Sequence, residues 1–136
     1  MERLSNQEFN EKMRERTKQF ALLVIALCDK LPNKESARVI NRQLLRSATS
    51  VAANFRAACR GRSKAEFYSK ICIVVEEADE TQFWLELLVD SKLIDNNHAD
   101  VKSLIAEISE ILAITTSIKS KLYQNIKNNN HERIYS

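Results

Sequence analysis

Glycine and proline occur once each in this 136-residue chain, at Gly61 and Pro32. So few breakers leave room for few turns, which makes long helices the default reading. Histidine is almost as scarce, with only His98 and His131. A di-iron bundle needs Glu-x-x-His pairs projecting inward, and Glu76, Glu77 and Glu80 have no such partner, so no metal site and no cofactor is expected. One glycine cannot build a phosphate-cradling loop, and neither G-x-x-x-x-G-K nor G-x-S-x-G occurs. Ser47 and Ser50 read as small helix-packing residues, not nucleophiles, so the expectation is a protein that is not an enzyme and has no catalytic residues. The three cysteines, Cys28, Cys59 and Cys72, lack C-x-x-C spacing and sit among apolar neighbours, as buried reduced thiols do. No apolar run reaches the ~18 residues of a membrane span, and the polar start MERLSNQEFNEK is unlike a signal peptide. A cytoplasmic protein with no membrane partner is therefore expected.

What is present is helical periodicity. With 44% hydrophobic and 29% charged residues, the chain suits one domain with a single core. Helices are expected over about 7–31, ending at Pro32, and about 35–60, ending at Gly61. Ser63-Lys64-Ala65-Glu66 has the S-x-x-E capping pattern and opens a third, about 64–91. The polar stretch Asp95-Asn96-Asn97-His98 separates it from a fourth, about 99–127, followed by a polar, frayed tail over 128–136. Each segment carries an apolar stripe: Phe9, Met13, Phe20, Val24, Leu27 and Leu31; then Ile40, Leu44, Ala48, Val51, Phe55 and Ala58. Phe67, Ile71, Val74, Ala78, Thr81, Leu85 and Leu88 form the third, and Val101, Leu104, Ile108, Ile111, Thr115, Ile118 and Leu122 the fourth. Four stripes with short connections predict an all-α fold, an antiparallel up-down-up-down four-helix bundle in one domain over residues 1–127.

Two surpluses remain. FALLVIALC, Phe20 to Cys28, is apolar all round, and Ile73, Phe83, Trp84 and Leu87 point away from the third stripe. Either the core face is broad or these residues meet another subunit; self-association is the favoured reading. The second surplus is guanidinium. Arg38, Arg42, Arg46, Thr49, Ala53, Arg56 and Arg60 fall within about 80° of helix arc, opposite the apolar stripe. Residues 35–62 carry net +5 and residues 64–92 net −4, so the arginines could neutralise the next helix's acids. They could equally track phosphates, which Arg matches bidentately. One bundle end would gather residues 1–18, 56–70 and 119–136, at net +1, +4 and +3, leaving −5 for the remainder of a +3 chain. Arg62 and Lys64 open a helix, where positive charge is disfavoured, which points to an external anion. The expected nucleic-acid contacts are Arg56, Arg60, Arg62 and Lys64, with Arg42 and Arg46 secondary. Asn54, unfavourable in mid-helix, is expected to bond across to another helix.

The blocks LLRSATSVAAN (44–54), RSKAEF (62–67), VEEADET (75–81) and FWLELL (83–88), taken in order, resemble the bacterial four-helix-bundle proteins encoded within intervening sequences of 23S ribosomal RNA genes. The resemblance spans roughly residues 10 to 120. It implies a left-handed antiparallel bundle assembling as a homopentamer. At a further remove it implies kinship with the accessory protein of diversity-generating retroelements, a basic pentamer that binds nucleic acid and a reverse transcriptase. Many members have an acidic residue shortly after the Asn of the S-x-x-x-N block; here Phe55-Arg56-Ala57-Ala58 follows Asn54 and is more basic. The expectation is a homo-oligomeric bundle binding RNA or DNA through a basic rim. The alternative is a protein-interaction scaffold whose arginines form intersubunit salt bridges.

Overall fold

The computed structural model describes residues 6–95 and 98–135. Four helices account for most of them: α1 (Asn6–Cys28), α2 (Glu35–Cys59), α3 (Lys64–Asp90) and α4 (Ala99–Tyr135). No strand occurs among the described residues, and none of the described helices is long and apolar enough to cross a membrane. Asn96 and Asn97 of the separating stretch, with Glu2 and Arg3 of the charge count, lie outside the described residues.

Local chemistry explains the boundaries. α1 stops at Cys28, short of the expected Leu31, and passes into tight turns in which Lys30 N–H donates to Leu27 O and Leu31 N–H to Cys28 O. Pro32 disfavours the helical conformation for the residue before it, so the last turn cannot continue. Ser63 is the N-cap of α3, its Oγ accepting from Glu66 N–H at 3.1 Å. The Glu66 carboxylate reaches back to Arg62 N–H at 2.6 Å, so the S-x-x-E motif satisfies two otherwise orphaned donors. Gly61 has no positive φ. Its role is room: a Cβ there would meet Ala58 O at 3.1 Å and Phe67 N at 3.2 Å. The left-handed residue is instead Lys92 (φ 62°), after α3, its N–H donating to Val89 O. The tail expected to fray over 128–136 keeps helical backbone to Tyr135. Nothing after Ala99 interrupts the hydrogen-bond ladder, because neither glycine nor proline follows. At 37 residues α4 is roughly 55 Å long against roughly 40 Å for α3.

The apolar stripes meet in one core. Phe20, Leu44, Phe55, Ile71, Leu85, Leu88, Ile108 and Ile111 are fully buried in it, and Phe9, Phe67, Ile118 and Leu122 close one end. Each helix also sends one hydroxyl inside: Thr17, Ser47, Thr81 and Thr115. All four back-bond to a carbonyl of their own helix, and Thr81 Oγ1 also meets Ser47 Oγ at 2.9 Å. Buried hydroxyls are therefore satisfied at little cost, and the Ser47–Thr81 pair ties α2 to α3 in one register.

Cross-helix contacts show which ends lie together. Cys59 near the end of α2 donates its thiol to Asn10 O near the start of α1, while Lys30 just after α1 meets Asp100 at the start of α4. Tyr68 and Tyr123 pair across α3 and α4, ring centroids 6.4 Å apart. Of the helix pairs in contact, α1 and α4 share the thinnest seam. That thin seam is bridged by charge: Arg16 engages Glu107 at 2.6 Å and Glu110 at 3.0 Å.

Candidate nucleic-acid interface

Along α2 the arginines divide by height. Arg38 is held by Asn33 Oδ1 at 2.6 Å and by Glu35 at 2.8 Å. Arg46 lies between Glu77, at 3.1 Å, and Glu80, both on α3. Its guanidinium holds the Glu80 carboxyl below the usual carboxylate range, and Trp84 Nε1–H adds a second donor at 3.2 Å. Charge neutralisation between neighbouring helices therefore operates at the helix centre, and Arg46, expected as a secondary phosphate contact, is engaged within the bundle. Arg42 is exposed on the same face.

Towards the end of α2 the surroundings change. Arg56 and Arg60 line a groove of about 560 Å³ with Arg14 and Lys18 of α1. Thr49, Ala52, Ala53 and Ala21 line it with small side chains. The groove's one lining acid, Glu15, accepts a hydrogen bond from Gln19. No carboxylate among the described residues pairs with Arg14, Lys18, Arg56 or Arg60. Thr49 and Ala53, which the arc places among the arginines, thus leave room between four cations.

Asn54 behaves differently from expectation. Its Nδ2 donates to Ser50 O at 3.0 Å and Ser50 Oγ at 2.9 Å, one turn back on its own helix, and not across the bundle. A short amide one turn from a carbonyl and a hydroxyl finds its partners locally.

Beyond Arg60 the chain turns, and a second cavity of about 640 Å³ opens at the bundle end. Arg62, Lys64 and Lys121 line it with the apolar Phe9, Phe67, Ile118 and Leu122. Arg60 borders the groove and Gly61 the cavity, so the two basins adjoin along the chain. The structure places the four principal expected residues around these basins and adds Arg14, Lys18 and Lys121. The signal for the first two was legible in their i, i+4 spacing on the side of α1 away from Met13 and Phe20. Which neighbouring helix that side abuts was not.

The expected subunit-contact residues lie off the fully buried stripe of α3. Phe83 is 51% exposed, and Ile73, Trp84 and Leu87 are half-buried. The Phe83 and Trp84 rings pack edge to face, 4.9 Å between centroids. On α1, Leu22, Leu23 and Ile25 are also exposed, whereas Trp84 and Leu87 pack against the core, so part of this apolar surplus broadens the core face and part faces outward. Among the described residues no group of three His, Cys, Asp or Glu could hold a metal ion.

Two comparisons with known proteins find similarity. The family model of the 23S rRNA-intervening sequence protein matches residues 9–117. A crystal structure from Bacteroides thetaiotaomicron, of a protein with unknown function from the S23 ribosomal protein family, is 32% identical with a TM-score of 0.73. That match covers 82% of this chain and 97% of the other. No curated protein matches.

Proposed function

This chain belongs to the 23S rRNA-intervening sequence protein family, and from that premise we propose that it is a non-enzymatic, self-associating bundle that binds the phosphate backbone of RNA or DNA at its basic end. The observation that carries the reading is the pair of adjoining basins at the α2–α3 turn. Together they are lined by Arg14, Lys18, Arg56, Arg60, Arg62, Lys64 and Lys121, and no described carboxylate forms an ion pair with any of their charged groups. Guanidinium and ammonium groups left without a carboxylate beside small side chains suit a polyanion, which gains affinity by releasing counterions. Arg42 extends the surface; Arg46 contributes little, because its two glutamates hold it.

Self-association through Phe83, Trp84, Leu87 and Ile73 would set several basic ends side by side and concentrate their field. The homopentamer that the family resemblance implies is one such ring. Light scattering on purified protein should give a mass several times 15.7 kDa at micromolar concentration; a monomer would contradict self-association.

The functional test replaces Arg56, Arg60, Arg62 and Lys64 together by glutamine. The variant should bind generic RNA and DNA far more weakly at low salt and keep the parent's scattering mass. If it binds like the parent at matched salt, the basic-end reading fails. The scaffold reading then takes its place.

A further inference from the structure

The end cavity holds more than a phosphate needs. A phosphate site is served by cations and N–H donors, yet four of this cavity's eleven lining residues are apolar, Phe9 and Phe67 among them. Both rings are half-buried, packed against the core and so fixed in place, with part of each surface left open. Asn6 and Asn10 add side-chain amides, which supply paired donors and acceptors. The volume of about 640 Å³ falls within the range of sites that enclose a small organic group.

We infer that this cavity receives an unstacked nucleobase, so that the nucleic acid bound at the basic end is single-stranded. The inference rests on the nucleic-acid reading above and deepens it. Four observations converge. The aromatic walls offer a face for a base, and such stacking is tolerant of sequence. The amides of Asn6 and Asn10 suit the polar edges of a base. Arg62, Lys64 and Lys121 stand where the flanking phosphates would lie. Finally, the cavity adjoins the groove of Arg14, Lys18, Arg56 and Arg60, so a strand tracked along α1 and α2 arrives there without interruption. A duplex keeps its bases paired and stacked inside and has none to offer.

The test uses the full chain and three fluorescent probes at matched salt, each about twelve nucleotides long, a length typical of single-strand sites. They are oligo(dT), an abasic strand of the same phosphate number, and a duplex. Oligo(dT) should bind about tenfold or more tighter than the abasic strand, the scale of one stacked base. Replacing both rings, Phe9→Leu with Phe67→Leu, keeps the apolar bulk. It should lower oligo(dT) binding to the abasic level while leaving abasic-strand and duplex binding unchanged. Equal binding of oligo(dT) and the abasic strand by the parent would overturn the base pocket while the phosphate groove stands. Failure of all three probes to bind would overturn both. Displacement of oligo(dT) by decanoate but not by thymidine monophosphate would also overturn it, by showing a site for apolar carboxylates.

Discussion

Asn54 shows at the scale of one residue where reading a sequence stops. Its position in mid-helix was plain, and so was its need for a partner. That the partner would be Ser50, and not another helix, depends on a side-chain rotamer that no periodicity encodes. Asn54→Ala should therefore leave stability within about 0.5 kcal/mol of the parent by urea titration, since the lost local bond is offset by better helix propensity. A loss of several kcal/mol would mean a cross-helix bond after all. Arg16 and Arg46 yield a second prediction. Each holds a glutamate, Glu107 and Glu80, below its usual carboxylate range, chiefly by direct hydrogen bonding. A carboxylate with a lowered folded pKa stabilises the protein above its unfolded pKa and loses that contribution as pH falls through the folded value. Melting temperature should thus fall on acidification below about pH 4, and less steeply in the Arg16→Met, Arg46→Met double variant. All four side chains are partly exposed, so the two networks together are worth on the order of 1 kcal/mol. Cys28 illustrates what was legible outright: burial, with Asp29 adjacent, pushes its thiol up to about 12, as an apolar helical setting implied.

Helices are where the sequence was most readable, because each stripe, with its 3.6-residue period, is a statement about one helix alone. Every stripe residue expected to face inward is buried or half-buried. The ends were less legible. Ser63 and Glu66 act as a cap, as their spacing announced, and Ser63→Ala should cost about 1 kcal/mol in chemical denaturation. Gly61 marked the end of α2 through clearance and not through a left-handed backbone, since a Cβ there would crowd Ala58 O and the start of α3. The left-handed conformation that glycine favours falls to Lys92, which no local motif flagged. Lys92→Gly should accordingly stabilise the protein by about 0.5–1 kcal/mol, read as a raised urea midpoint. A lowered midpoint would show that the Lys92 side chain contributes more than its backbone costs. α4 ran past its expected end because a polar composition lowers helix propensity without supplying a stop.

In the whole molecule the decisive facts are juxtapositions. Each helix's faces can be deduced from its own residues, but which face meets which neighbour is settled by packing. So the net charge of the bundle end was legible, while the division of α2 into a paired centre at Arg46 and a groove at Arg56 and Arg60 was not. The apolar surplus was likewise visible as composition, and the fold places Leu22, Leu23, Ile25 and Phe83 on the outside. Both features look outward. The central claim is that the basic end binds nucleic-acid phosphates. Its most direct test is the salt dependence of binding to a generic single strand, for the parent and for the variant with Arg56, Arg60, Arg62 and Lys64 replaced by glutamine. For the parent, log K should fall linearly with log salt; for the variant, the slope should flatten by about 3, at roughly 0.7 per lost phosphate contact. No binding by the parent at low salt, or an unchanged slope in the variant, would contradict the account.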